Sequence, residues 1–140
     1  MSKFDYKVDK EIATTEIKNF AEHYLGEEQT EDQVKEAYPA LIRALQLGYL
    51  VIGADMVPAY TLEEPIKYES GEPAVTELKF KTRITLTEKK NLGKGLDAKR
   101  DAFEWFMKVL SFMIGHPTAM LDKLGRFDYK VVEAMGSLFL

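Results

Sequence analysis

Apolar positions recur at helical spacing through the first 50 residues of the chain. The first set shares one face of a predicted helix that ends at Gly26: Ile12, Ala13, Ile17, Phe20, Ala21, Tyr24 and Leu25. Thr30 and Gln33 then have the spacing of a capping box, which marks the start of a second helix. Pro39 interrupts the apolar face that follows. The pattern therefore predicts a kink, or a new helix with Pro39 in its first turn, that ends at Gly48.

The middle of the chain alternates with the period of two that is typical of β-strands. The apolar positions of the two predicted strands are Tyr60, Leu62, Ile66 and Tyr68 in the first, and Leu78, Phe80, Ile84 and Leu86 in the second. Polar residues occupy the alternate positions of the second strand, so one of its faces is expected to contact water. Pro58 and Pro65 place the first strand at a sheet edge, because proline cannot donate to a strand ladder. We expect the two strands to form a hairpin around Ser70-Gly71.

The segment 103–114 is apolar over most of its helical circumference. Its polar residues Glu104, Lys108 and Ser111 fall in one narrow stripe, which leaves an apolar arc of roughly 220°. A helix on a protein surface needs an arc of only about 100°. The excess is either buried on two sides, as in a central core helix, or offered to a partner.

The ends of the C-terminal helices have their own signals. Asp97 is a candidate cap for the apolar helix, and Gly115-His-Pro117 is expected to end it. After a short helix, the last helix is predicted to start at Asp128, with Phe127 and Val132 forming a hydrophobic staple.

These elements predict an α+β fold, in which a small antiparallel β-hairpin or sheet is flanked by an N-terminal helical region and a C-terminal set of three helices. Residues 1–57 are expected to be a helical N-terminal extension, and residues 58–140 the hairpin with the C-terminal helices. The length of 140 residues suits one compact domain overall. With 46% hydrophobic residues the chain can form a globular core.

The formal charge of −4 is distributed unevenly along the chain. Residues 1–78 carry 7 basic and 16 acidic side chains, whereas residues 79–100 carry 8 basic and 2 acidic ones. Lys79, Lys81 and Arg83 form a basic face that could meet nucleic acid or an acidic protein surface. The simpler interpretation is a solvated face, neutralised by the acidic half of the same chain. Nucleic acid is disfavoured because Phe80 points away from this face and leaves no aromatic ring to stack on bases.

The sequence contains few residues in the patterns that are typical of catalytic or cofactor-binding sites. It has no cysteine, which excludes disulfides, thiol catalysis and cysteine-ligated metals. The two histidines, His23 and His116, have no second histidine at ligand spacing, so no metal site is expected. The glycines of Gly93-Lys-Gly95 lack the other residues of a phosphate-binding loop. We therefore expect no catalytic residues and no cofactor.

The sequence shows neither a membrane-spanning segment nor a secretory signal, and both observations bear on where the protein is expected to act in the cell. No apolar run reaches the ~18 residues of a membrane span, so no membrane association is expected. The first residues lack the apolar stretch of a secretory signal, which favours the cytoplasm.

Residues 58–140 resemble a known family in their opening and closing motifs. The opening is Tyr60-Thr-Leu-Glu-Glu-Pro-Ile66, a turn with Gly71, and Val75-Thr-Glu-Leu-Lys-Phe-Lys81. The closing motifs are Ile114-Gly-His-Pro117, Leu121-Asp-Lys-Leu124 and Asp128-Tyr129. This order of a strand ending in Pro-Ile, a glycine turn, a Val-Thr-Glu-Leu strand and a proline turn before two helices resembles the tail assembly chaperones of contractile-tailed, Mu-like phages.

The resemblance implies a non-catalytic protein that acts in the cytoplasm of a bacterial host cell during phage or prophage tail assembly. Members of this family are thought to bind the tape-measure protein, a long helical chain with apolar faces that need a soluble cover. In this chain the partner-binding side chains would come from the apolar helix: Trp105, Phe106, Val109, Phe112 and Met113. Methionine in such a set can re-pack against varied partners.

A second hypothesis is a structural tail component that stays in the virion. Such a protein would form homo-oligomers through the edge of the hairpin.

Overall fold

A computed structural model describes residues 4–67, 70–71 and 73–139 of the chain. Over these residues the structure is α+β, with a three-stranded antiparallel sheet and helices on both sides of it. The elements in chain order are α1 (Lys10–Leu25), α2 (Glu31–Ala37), α3 (Pro39–Gln46), β1 (Leu50–Ile52), β2 (Pro58–Lys67), β3 (Pro73–Lys79), α4 (Leu86–Leu92), α5 (Ala102–Ile114), α6 (Thr118–Leu121) and α7 (Arg126–Phe139). β1 and α4 have no counterpart among the elements predicted from the sequence.

Most of the helix signals in the first 50 residues are confirmed, although α3 ends at Gln46, two residues before Gly48, and Ile12 and Leu25 of the predicted apolar face are exposed. α1 ends where Gly26 adopts a left-handed conformation with φ of 69°. Thr30 and Gln33 form the capping box of α2, with both of its hydrogen bonds present. Of the two possibilities left open at Pro39, the structure has the new helix: α2 ends at Ala37 and α3 begins at the proline.

The sheet order β1-β2-β3 corrects the prediction that Pro58 and Pro65 confine their strand to an edge. Their strand, β2, is the central one, and it pairs with β1 over only three residues, Pro58 to Tyr60. Pro65 lies beyond that stretch, in a part of β2 with an irregular register against β3 and no β1 residue opposite. Both prolines are tolerated because one begins the strand and the other has a strand neighbour on one side only.

The second predicted strand is shorter than its alternating pattern suggested. β3 ends at Lys79, so Lys79, Lys81 and Arg83 do not form one strand face. Thr85 and Glu88 instead form a capping box that starts α4. Leu86, expected in the core, is 83% exposed as the first residue of that helix.

The remaining apolar positions of this pattern follow the prediction more closely. Leu78, Phe80 and Ile84 are buried as expected, although the last two lie outside the strand. Tyr68, assigned to the apolar side of the first strand, and part of the predicted turn around Ser70-Gly71 lie outside the described residues.

Two predicted helix starts are also corrected. α5 begins after Asp101, and the Asp97 carboxylate instead accepts hydrogen bonds from the backbone N–H groups of Lys99 and Arg100 in the preceding turn. α7 begins at Arg126, two residues before Asp128, which is buried in its first turn.

The start of α7 also removes the predicted staple. With the helix beginning at Arg126, Phe127 lies inside its first turn rather than before its cap. Phe127 is 42% exposed, whereas Val132 is fully buried.

One hydrophobic core joins both ends of the chain to the sheet. Its largest fully buried side chains include Phe20 of α1, Leu41 of α3, Tyr60 of β2, Leu110 of α5 and Met135 of α7. α7 packs against α1, α3, α5 and β2 and is therefore the central helix of the structure. The apolar helix that dominated the sequence pattern, α5, packs mainly on α6 and α7.

α5 and α7 approach closely at Gly136. A Cβ placed on this glycine would overlap Leu110 Cδ2 and lie 3.6 Å from Phe106 Cζ. Because Leu110 is completely buried, its side chain has little room to move away.

We predict that Gly136→Ala lowers the free energy of unfolding by about 1–3 kcal/mol, through overpacking at this contact. The measurement is chemical denaturation followed by far-UV circular dichroism. Ser137→Ala, one residue along at an exposed position, is the matched control and should change stability by less than about 0.5 kcal/mol. Equal stability of wild type and Gly136→Ala would contradict the close approach of the two helices.

Candidate partner-binding surface

The exposure of α5 changes along its length rather than around its circumference. Val109, Leu110, Met113 and Ile114 in its C-terminal half are buried. In the first turn Phe103 is 72% exposed and Trp105 is 39% exposed. The apolar excess of this helix is thus buried at one end, where α6 and α7 cover it, and exposed at the other.

Trp105 is held in a fixed orientation by α4. Its indole N–H donates to the backbone carbonyl of Lys89 at 3.1 Å. The ring lies against Gly93, where an added Cβ would be 3.3 Å from Nε1 and 3.4 Å from Cδ1. The glycine that suggested a phosphate loop in the sequence therefore makes room for the indole. Because this hydrogen bond already fixes the ring, the Trp105 side chain would lose little conformational entropy when a partner binds to its exposed part.

Two hollows flank Trp105, and both are lined by Trp105 and Lys89. The larger, about 390 Å³, is also lined by Phe106, Val109, Gly136 and Ser137. The smaller, about 160 Å³, is also lined by Lys90, Gly93, Leu96, Asp97 and Ala98. We call these two hollows together the Trp105 surface. It consists of apolar and aromatic side chains with lysines at its margin, an arrangement that can receive apolar side chains from another molecule.

Phe112 belongs to a different hollow of about 400 Å³, between α5 and the turn that follows it. Lys81 of the predicted basic face also lines this hollow, with Nζ 4.0 Å from the centroid of the Phe112 ring. The ring thus has a cation on its face, an arrangement worth roughly 0.5–1 kcal/mol at an exposed site. Lys79 and Arg83 are exposed and do not line the hollow.

The structure therefore divides the five predicted partner-binding residues. Trp105, Phe106 and Val109 line one hollow, although Val109 is only 3% exposed. Phe112 lines the other hollow, and Met113 is completely buried. Leu86 and Phe103 are the most exposed large apolar side chains of the described residues, and the sequence analysis assigned neither to partner binding.

A separate polar cluster lies between β2, α3 and the start of α7. Asp128 is completely buried, and its carboxylate accepts three hydrogen bonds: from the Tyr60 hydroxyl at 2.5 Å and from the backbone N–H groups of Glu63 and Glu64 at 2.9 and 3.0 Å. This arrangement satisfies a buried charge that would otherwise be costly. Sequence reasoning assigned Asp128 to a helix start and gave no sign of this role.

Next to this cluster, Arg43 forms a bidentate ion pair with Glu63, with N–O distances of 2.7 and 3.1 Å. The Arg43 guanidinium also lies 4.0 Å from the centroid of the Phe127 ring. These groups line an open cleft of about 780 Å³, which Phe4 and Lys7 of the N-terminal segment also border. The Arg43 and Glu63 charges are thus paired with one another, and the Asp128 carboxylate is bonded to three donors.

The described residues contain no group of three or more His, Asp or Glu side chains that could hold a metal ion. His23 packs its ring edge-on against Tyr24, and the backbone carbonyl of His116 accepts a hydrogen bond from the Ser111 hydroxyl. Across the same described ranges, no helix is both long enough and apolar enough to cross a bilayer.

Comparisons with protein-family models, with curated proteins and with solved structures find no match to this chain.

We predict that Asp128→Ala lowers the free energy of unfolding by about 3 kcal/mol or more. The change leaves the Tyr60 hydroxyl and two backbone N–H groups without an acceptor, and each unsatisfied buried donor costs about 1–3 kcal/mol. Urea denaturation measures the loss. Asp122→Ala, which removes an exposed carboxylate four residues before α7, should change stability by less than about 0.5 kcal/mol. A small effect at both positions would contradict the structural role of Asp128.

A second prediction concerns high pH. Burial, and then the Asp128 carboxylate, raise the pKa of the Tyr60 hydroxyl above its ordinary value of 10.0. The unfolded chain ionises first, so stability from this group is complete below about pH 10 and is lost as the pH rises further. Between roughly pH 9 and 11, Tyr60→Phe should therefore lose less stability than the wild type, measured by urea denaturation at each pH. An equal loss in both proteins would contradict this prediction.

Proposed function

We propose that this protein is a non-catalytic phage or prophage tail assembly chaperone, which binds a long helical tape-measure protein and keeps it soluble. The observation that carries the proposal is the Trp105 surface, where an oriented tryptophan lies between two apolar hollows. The family resemblance of residues 58–140 supports the same role. The protein would act in the cytoplasm of a bacterial host and would need no cofactor.

The geometry of the Trp105 surface suits a helix as the bound element. An amphipathic helix presents apolar side chains at positions i, i+3, i+4 and i+7, and these enter neighbouring hollows. Tryptophan is among the residues that contribute most to such interfaces, typically 2 kcal/mol or more when truncated. Phe106, which also lines the larger hollow, would extend the apolar contact area beyond the indole.

The structure also contains one feature that favours the alternative, a structural tail component that self-associates. β3 is an outer strand of the sheet, so its free edge could pair with a second copy. The exposed side chains on this strand include Glu77 and Lys79, and charged side chains on an edge strand oppose such pairing. The chaperone is therefore our preferred proposal.

The experiment is co-expression with the long helical protein encoded beside this one, followed by size-exclusion chromatography of the soluble fraction. We predict that Trp105→Ala weakens the complex about 30-fold, the equivalent of ~2 kcal/mol, through loss of the central apolar contact. Phe127→Ala is the matched control because Phe127 is a similarly exposed aromatic residue, 42% against 39%, on a different part of the surface. It should leave co-elution unchanged.

Both variants must first be shown to fold, by circular dichroism and thermal melting. A long helical partner that stays insoluble with the wild-type protein would refute the chaperone function. If Trp105→Ala and Phe127→Ala bind as well as the wild type, the partner binds elsewhere. Discrete homo-oligomers that also occur in mature particles would support the structural tail component instead.

A further inference from the structure

We infer that the segment bound at the Trp105 surface is an amphipathic helix with acidic side chains along the margins of its apolar face. This inference rests on the proposed function and specifies the chemistry of its partner. It is drawn from the charges around the two hollows, and it predicts which helices of a long partner would bind and which would not.

The basic charge around Trp105 comes from one segment of the chain. Residues 79–100 carry 8 basic and 2 acidic side chains, a local excess of six positive charges. The segment includes all of α4 and the loop that leads to α5, and Trp105 packs on both. Lys89 and Lys90 line the smaller hollow directly, together with one acidic residue, Asp97, whose carboxylate accepts hydrogen bonds from the backbone N–H groups of Lys99 and Arg100. The apolar contact area therefore has a cationic margin.

Three lysines of this segment form no ion pair within the part of the chain that the structure describes. Of the basic residues in the segment, Arg100 is bonded to the neighbouring Asp101, at 3.4 Å. Lys90, Lys94 and Lys99 lie within 4.0 Å of no carboxylate among the described residues. At these three lysines an acidic partner would therefore gain attraction without having to break an existing ion pair.

The spacing along α4 places these lysines next to a further apolar contact. Leu86, Lys89 and Lys90 are related as i, i+3 and i+4, so they share one face of this helix. Leu86 is 83% exposed, and Trp105 lies one turn further along, against Gly93. A helix lying across this face would contact apolar groups along its centre and lysines along its side. That arrangement is complementary to leucine or similar residues bordered by glutamate or aspartate.

Nucleic acid fits the same surface less well. A base stacks on an open aromatic face, whereas the Trp105 indole is only 39% exposed and is bonded through its N–H to α4. The two hollows next to the ring are concave and suit apolar side chains, whereas base stacking requires a flat aromatic surface. The cations supply orientation and specificity to an apolar contact, as charges at an interface margin do.

The test uses two designed peptides of about 20 residues, a length that allows a helix to form on binding. Both carry the same leucine face and no tryptophan. One has glutamate and the other lysine at the flanking positions. Because Trp105 is the only tryptophan of the protein, its fluorescence reports binding at this surface directly. Size-exclusion chromatography of the free protein is run beside the titrations.

We expect the glutamate peptide to bind at least 10-fold more tightly than the lysine peptide at low salt, and the difference to shrink as salt rises. Lys90→Glu/Lys94→Glu should reverse or abolish this preference. The matched control is Lys35→Glu/Lys123→Glu, which makes the same change of charge at exposed positions on α2 and before α7 and should keep it.

The other outcomes separate the two proposals. Equal binding of both peptides would overturn the acidic preference and leave the docking function standing. Binding of neither peptide, together with no co-elution of the long helical protein, would refute the docking function itself. A fluorescence change that follows protein concentration, with a dimer in chromatography, would make a second copy of this chain the occupant. A change produced by single-stranded oligonucleotide and by neither peptide would make nucleic acid the ligand.

Discussion

The buried carboxylate of Asp128 joins the last helix of the chain to the central strand of the sheet. It lies in the first turn of α7 and accepts hydrogen bonds from the Tyr60 side chain and from two backbone N–H groups of β2. A charge without solvent persists in a folded protein only when such partners surround it. The carboxylate therefore fixes both the position and the rotation of α7 against the sheet, because three directional bonds must be made at once.

Once α7 is placed, the position of α5 follows from packing. Gly136 of α7 lets Leu110 of α5 approach closely, and the C-terminal half of α5 is buried at this contact. The first turn of the same helix lies beyond the contact, so Phe103 and Trp105 remain exposed. The same interactions that stabilise the core thus leave an apolar surface at one end of a helix whose other end is buried. In our proposal this end is where the partner binds.

Acidic and basic residues occupy different parts of the chain, and the basic segment lies beside the exposed tryptophan. Residues 1–78 carry 7 basic and 16 acidic side chains, and an excess of one charge opposes association between exposed aromatic surfaces. The basic segment 79–100 lies next to Trp105, where it can select among apolar partners. An apolar groove alone discriminates poorly between helices, whereas charges at its margin favour one partner and oppose another. This arrangement is consistent with a chaperone that must bind particular segments of one long chain.

Features that depend on neighbours along the chain were predictable from the order of the residues. Helical periodicity placed α1 and α5, the capping pattern Thr30–Gln33 placed the start of α2, and alternation identified β2 and β3. The signals that misled were local patterns with two possible meanings. The alternating pattern predicted that Thr85 continues the second strand. In the structure Thr85 and Glu88 form the capping box of α4.

The burial of α5 and the role of Asp128 depend on contacts between distant parts of the chain. The apolar pattern of α5 does not distinguish its buried C-terminal half from its exposed first turn, because the difference comes from packing against other helices. The sequence predicted a helix start at Asp128, because a carboxylate at the N-terminus of a helix usually caps that helix. Its real partners in β2 are 64 to 68 residues away along the chain. Contacts over such distances leave no periodic or spacing signal in a single sequence, since chain folding alone brings the groups together.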